Sequence, residues 1–312
     1  MYLTVTLNPA LDKLHAVPHF TQGIVNTPTE TTIMPGGKGI NVARQLYRLG
    51  EKVRATGLVG GFTGKAIMAG LDEEGIPYNF VDVAGESRVC GALYDPMTGI
   101  TTEINEIGPQ INADQWAQFT RRFSHHLADA ANVVCAGRLP PGVPDDAYAE
   151  LIDLAQRDGK LIALDTVEPA LRLGLQAGPT IAKPNQDEAE ALLGYSLAER
   201  DSWRPALDAL LSFGLEAAAV TLGAGGAIVG VRNGEQRYWY LKALDVKVVS
   251  TIGCGDAFLG AWLSAHGRGL PWHEAAVPAM AAGAANGMYY GSGIALPDQI
   301  KTLISQVVLS PL

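Results

Sequence analysis

The residues best placed to do chemistry lie in one stretch, Val249-Ser250-Thr251-Ile252-Gly253-Cys254-Gly255-Asp256-Ala257-Phe258. Gly253 and Gly255 permit a sharp turn and let backbone N–H groups approach a ligand. Phe258, Trp262, Leu263 and His266 recur at i, i+4, i+5 and i+8, which predicts a helix from Asp256 to about His266. The glycines then stand at a helix N-terminus, where unpaired N–H groups and the positive dipole end favour an anion. A carboxylate beside a bound phosphate is repulsive unless it is there to take a proton. Asp256 therefore reads as a general base for a hydroxyl that attacks phosphorus, with the Gly253, Cys254, Gly255 and Asp256 backbone as the anion hole. The same pattern also describes an ordinary N-cap aspartate.

A second glycine loop, Pro35-Gly36-Gly37-Lys38-Gly39-Ile40-Asn41-Val42-Ala43-Arg44, also enters a helix, with Val42, Leu46 and Leu49 on its core face. Lys38 places a cation in that loop, and Asn41 stands at the helix start. Asp12 follows the first apolar strand in Asn8-Pro9-Ala10-Leu11-Asp12, where α/β folds meet ligands. A turn residue fits the position equally well. Arg88 is a cation on a strand of small and apolar residues, and reads either as an exposed strand arginine or as a guanidinium fork for phosphate. Asn185 and Glu188 lie one helical turn apart and offer oxygen ligands to a hard cation. The same pair is also a capping box.

Together, GGKGxNVAR near the start and GxGD near the end closely resemble the signatures of the PfkB group of ribokinase-like sugar kinases, with Cys254 where alanine is usual. The run Thr102-Glu103-Ile104-Asn105-Glu106 is typical of the 1-phosphofructokinase and tagatose-6-phosphate kinase branch. So is Gly137-Arg138-Leu139-Pro140-Pro141-Gly142-Val143-Pro144, except that Arg138 replaces serine. The resemblance spans the chain. It implies a three-layer α/β sandwich with a mostly parallel sheet, in one domain of residues 1–312, and a small β-sheet lid from about 13–35 and 87–107. It also implies ATP and Mg²⁺ as cofactors. Asp12, Gly37 and Asn41 would hold the sugar, and Arg88, Lys38 and Arg138 its existing phosphate. Lys183, Asn185, Thr221, Gly223, Gly225 and Gly226 would lie on the nucleotide side, with Asn185 and Glu188 near the metal. The implied reaction is phosphorylation of fructose 1-phosphate to fructose 1,6-bisphosphate. The alternatives are tagatose 6-phosphate, fructose 6-phosphate, or a non-phosphorylated sugar or nucleoside. A non-catalytic sugar or nucleotide sensor is the alternative of another class. A homodimer through the lid also follows from the resemblance.

The elements that must position these residues alternate between strand and helix almost throughout, which predicts a parallel sheet covered on both faces. A chain of 312 residues with 47% hydrophobic and 18% charged content has room for a large core. Its net charge of −9 argues against a nucleic-acid partner. Cys90, Cys135 and Cys254 are too widely spaced for a metal site, and their odd number fits a reducing compartment, hence the cytoplasm. The first residues lack a basic segment and a cleavage site, and no run of about 18 uncharged apolar residues predicts a membrane span. Gly60-Gly61-Phe62-Thr63-Gly64-Lys65 is one residue short of a P-loop and is followed by Ala66, so it reads as a strand-to-helix turn. The stretches after Leu7, Val59 and Leu222 all fail the dinucleotide pattern GxGxxG. Asn233-Gly234 marks a hairpin turn. A last large helix is expected over 271–290.

Overall fold

The structure, a computed structural model, describes residues 1–233 and 235–312, so the turn expected at Asn233-Gly234 lies, at Gly234, outside the described residues. The main sheet is built on β1 (Tyr2–Thr6), buried along its whole length. Parallel to it lie β4 (Val53–Val59), β5 (Tyr78–Asp82), β8 (Asn132–Ala136), β9 (Leu161–Asp165), β10 (Ile181–Ala182) and β11 (Ala217–Thr221). The strands β12 (Ala227–Asn233), β13 (Glu235–Leu241) and β14 (Leu309–Pro311) extend it antiparallel. Among the described residues the order across this ten-stranded sheet is β14-β13-β12-β11-β10-β9-β8-β1-β4-β5.

Side chains alternate across a strand, so a sheet buried on both faces feeds two cores. Tyr2 enters one core, while Leu3 and Val5 enter the other. The first core is closed by α1 (Lys38–Arg48), α2 (Gly61–Glu74), α8 (Cys254–Gly267), α9 (Trp272–Gly287) and α10 (Pro297–Ile304). The second is closed by α3 (Ala113–Leu127), α4 (Ala147–Arg157), α5 (Ala170–Gln176), α6 (Gln186–Leu193) and α7 (Trp203–Leu211). The result is the expected three-layer sandwich. Among the described residues no helix is long and apolar enough to cross a membrane.

A second sheet has four strands, in the order β3-β2-β6-β7. These are β2 (Ala10–Ala16), β3 (Glu30–Gly36), β6 (Arg88–Asp95) and β7 (Ile100–Asn105). It draws on the two stretches assigned from sequence to 13–35 and 87–107, but begins earlier, at Ala10. Asp12 is therefore on a strand, paired in register with Met34 and Cys90, and not in a turn. Every residue of β7 is exposed.

Close approaches decide where the glycine loops sit. Helix α1 presses onto β1 at Gly39, where a Cβ would stand 2.4 Å from the Val5 carbonyl oxygen and from Thr6 Oγ1. Only a hydrogen fits there, and this contact sets the depth of Asn41, two residues on. The Gly60 stretch forms the expected turn into α2, and Gly75 ends that helix in a left-handed conformation. Helix α9 stops at Gly287, short of the expected 290. The Gly287 carbonyl, among the last of the helix, accepts the N–H groups of Val249 and Ser250, tying the helix end to the loop that leads into α8.

Candidate active site

A cavity of about 990 Å³ opens between the C-terminal ends of the parallel strands and the second sheet. Of the residues singled out from the sequence, all but Gly225 line it. Gly225 sits in a short 3₁₀ turn, Gly223–Gly225, and its carbonyl accepts the Tyr240 hydroxyl.

Asp256 is the third residue of α8 and is only 6% exposed. The N-cap is Gly253, at φ 74°, and the Asp256 side chain caps nothing, so the N-cap alternative does not hold. Gly253 is required there twice over: its φ is left-handed, and a Cβ would fall 2.5 Å from Ser292 Cβ. Asn41 Nδ2 donates to Asp256 Oδ2 at 2.8 Å. Burial pushes the Asp256 carboxyl up to about 6, and Asp165 adds to the rise, while Lys38, the Asn41 bond and Lys183 hold it back. A carboxylate of that pKa is ionised at neutral pH and basic enough to accept a hydroxyl proton. Cys254, next to it, is pushed up to about 11 by burial and is a thiol at neutral pH. Its Sγ lies 3.7 Å from both the Ser250 carbonyl and Asn286 Nδ2.

Below Asp256 lies a charge cluster centred on Asp165, which the sequence shows only as the end of a buried strand. Lys38 Nζ donates to Asp165 Oδ1 at 2.6 Å and to Glu188 Oε1 at 2.7 Å. Lys183 Nζ lies 2.8 Å from Asp165 Oδ2. Burial opposes the Asp165 charge, but Lys183 and Lys38 outweigh it and hold the carboxyl below its ordinary range. Burial likewise opposes the Lys38 charge, and Asp165, Glu188 and Asp256 outweigh it and raise that ammonium. Lys38, expected at the substrate phosphate, is thus bound to two carboxylates. The Lys183 ammonium stands against the start of α8, 3.2 Å from where a Cβ on Gly255 would be.

The opposite wall belongs to the second sheet. The Asp12 carboxylate occupies the space a Cβ on Gly36 would need, 2.0 Å from its Oδ2. Burial pushes Asp12 up to about 7, eased by Arg44 and Arg88 and reinforced by Asp256 and Glu103. Arg88 Nε donates to the Asn8 carbonyl at 3.1 Å. Arg138 is exposed on the cavity wall. Glu103 and Asn105 of β7, in the run that the resemblance marks, also line the cavity, a placement that depends on sheet pairing.

On the remaining side, Asn185 is the N-cap of α6, and the capping box with Glu188 is formed in both directions, at 2.8 and 2.9 Å. Asn185 also bridges to Thr221, and Gly223 and Gly226 follow with φ of 56° and 94°. The two readings of the Asn185–Glu188 pair are compatible, since Glu188 reaches the cavity wall while it caps.

Asp165→Asn removes the carboxylate that two ammonium groups share, and is expected to cost about 3–5 kcal/mol, the scale of a broken buried ion pair. The folded Asp165 carboxyl lies below its unfolded value, so its stabilisation is present above about pH 4 and fades as pH falls further. Urea titrations of both proteins across pH check this. The gap in unfolding free energy narrows in acid, and a gap independent of pH would contradict the pairing.

Comparison with known proteins supplies the family. Residues 6–299 match the model of the pfkB family carbohydrate kinases. A candidate phosphofructokinase from Staphylococcus aureus is 31% identical, with 100% of this chain and 99% of that one covered and a TM-score of 0.81. A candidate 1-phosphofructokinase from Thermotoga maritima is 28% identical over 100% and 99% of the chains, with a TM-score of 0.91. Phosphofructokinase-2 from Escherichia coli, in complex with substrates and products, is 27% identical over 98% of each chain, with a TM-score of 0.88. The match covers nearly the whole chain, both glycine loops included, and so this protein belongs to the pfkB family of carbohydrate kinases, transferring phosphate to a hydroxyl group.

Proposed function

We propose that this kinase phosphorylates a hexose phosphate with ATP, and that fructose 1-phosphate, giving fructose 1,6-bisphosphate, is its substrate. The observation that carries the reading is the placement of a buried, elevated carboxylate in the first turn of α8, on the same cavity as Arg88 and Arg138. Asp12, Gly37 and Asn41 hold the sugar. Lys38 is engaged by Asp165 and Glu188, so the phosphate already on the sugar falls to Arg88 and Arg138. The second sheet acts as the lid, within a single domain of residues 1–312. Thr221, Gly223, Gly225 and Gly226 form the nucleotide side, with Lys183 and Asn185.

In the reaction, Asp256 Oδ1 takes the proton of the acceptor hydroxyl as that oxygen bonds to the terminal phosphorus of ATP. The bond from phosphorus to the bridging oxygen breaks, and its electron pair leaves with ADP. The N–H groups at the start of α8, backed by the Lys183 ammonium, face the charge on the transferring group. Mg²⁺ fits this site only as an ion that brings most of its own ligands. Among the described residues no group of three or more His, Cys, Asp or Glu is arranged to hold a metal. The oxygens of Asn185 and Glu188 are hard donors at the cavity wall, suited to an ion that keeps its waters and binds nucleotide phosphates. When bound, it would neutralise phosphate charge.

Fructose 6-phosphate is the second reading, because the Escherichia coli relative has been solved in complex with that sugar. Exposed Ile33, Ile100 and Ile104 on the second sheet support a lid-to-lid homodimer. Sedimentation equilibrium should then give twice the chain mass of 32.9 kDa, and a monomer at micromolar concentration would refute the dimer.

Asp256→Asn should fold and lose roughly two to four powers of ten in turnover, the scale of a lost general base. In the wild type, turnover should fall as pH drops through about 6, where the carboxylate takes up its proton. Near-normal turnover of the folded variant would remove Asp256 from the mechanism.

A further inference from the structure

Arg44 is among the largest fully buried side chains, 1% exposed, and does not itself line the cavity. Its guanidinium is saturated. Nε and Nη2 donate to the two oxygens of Glu74, Nη2 also to the Pro35 carbonyl at 2.6 Å, and Nη1 to the Ser292 carbonyl at 2.8 Å and to Asn41 Oδ1 at 3.1 Å. A guanidinium has five N–H groups and no acceptor, so every donor is used. The bond to Asn41 has a consequence. Arg44 can only donate, so it fixes the amide with its oxygen toward the guanidinium and its nitrogen toward Asp256. Asn41 Nδ2 then binds Oδ2, and among the described residues that is the hydrogen-bonded oxygen of the Asp256 carboxylate.

The other Arg44 partners point the same way. Pro35 is the next-to-last residue of β3, where the second sheet enters the glycine loop. Ser292 is the residue packed against Gly253, the N-cap of α8. Beside Arg44 on α1, Gln45 and Arg48 donate to the carbonyls of Ala295 and Ile294, so one helix face grips the segment that supports Gly253.

We propose that Arg44 is a positioning residue for phosphoryl transfer: its guanidinium locks the Asn41 amide so that Asp256 Oδ2 is held and Oδ1 is left to meet the acceptor hydroxyl. This rests on the reading of Asp256 as the base. Around that carboxylate stand Asp165, Lys38, Lys183, Asp12, Cys254 and Asn41, all kept in the key variant, Arg44→Lys. Lysine preserves the charge but has three donors and no fork.

The test is the pH profile of kcat for Arg44→Lys, Asn41→Ala and the double variant. Arg44→Lys should lower kcat by about tenfold or more, on the scale of a misaligned general base, with KM for ATP changed little. Its acid limb should move to higher pH, because a bond that favours the ionised Asp256 is weakened. In the Asn41→Ala background, Arg44→Lys should add less than about twofold, the mark of two residues acting through one interaction. Additive effects, or a lower Tm with kcat and the acid limb unmoved, would make Arg44 a purely structural cross-link and overturn the proposal. Should Arg44→Lys not fold, Glu74→Gln carries the test: a smaller shift of the same sign supports the proposal, and an unmoved limb overturns it. Asp256→Asn, measured alongside, separates the two ideas. If it stays active, the base assignment fails. If it is inactive while Arg44→Lys behaves as wild type, only the positioning role fails.

Discussion

The hydrogen bond between Asn41 and Asp256 joins the two helices on which the site depends. One end belongs to α1, which packs onto β1 through a glycine that tolerates no side chain. The other belongs to α8, whose start is held by a left-handed glycine against Ser292. Both helices close the same core, so their packing fixes the distance between the glycine loops without help from a ligand. The contact is short and buried, and charged groups stand on either side of it, Arg44 against Asn41 and Lys38 and Lys183 near Asp256. A buried amide oxygen left unpaired is costly, and the Arg44 guanidinium satisfies that of Asn41.

The electrostatics follow from the same geometry. Asp12 and Asp256 line one cavity, Asp165 is fully buried beside the Lys38 and Lys183 that also line it, and each carboxylate is costly to bury in ionised form. The chain resolves the conflict unequally. Asp165 is in direct ion pairs with two ammonium groups and lies below its ordinary range, while Asp12 and Asp256 feel two cations each without a direct ion pair among the described residues and lie above it. One carboxylate becomes a fixed anchor for lysines, and another stays poised to exchange a proton near neutral pH. Environment alone sets these two carboxyl groups apart.

Much of this was legible in the sequence because its signals are local. Glycine spacing and the helical period place the starts of α1 and α8. The glycines of both loops also meet the close contacts that explain them. What stayed hidden depends on partners distant in the chain. Asp165 reads as the end of a strand until Lys38 and Lys183 are seen on either side of it. Arg44 reads as part of a motif until Glu74, Pro35 and Ser292 surround it. Glu103 and Asn105 reach the cavity only through the pairing of β7 with β6. The Asn185–Glu188 pair shows a limit of another kind: the same spacing serves a capping box and an oxygen donor set, and here one pair of residues satisfies the first while facing the cavity. The elements expected from the sequence end at 290, short of α10 and β14. Their packing on α9 and β13 is what orders them.

The most direct test of the account is ADP release with Mg·ATP against fructose 1-phosphate, fructose 6-phosphate, tagatose 6-phosphate, free fructose and ribose. The account predicts the highest kcat/KM with fructose 1-phosphate, and in any case with a phosphorylated hexose. Turnover with the free sugars alone would contradict it, because Arg88 and Arg138 would then have no phosphate to hold. No turnover with any of the five would contradict the hexose-phosphate assignment altogether.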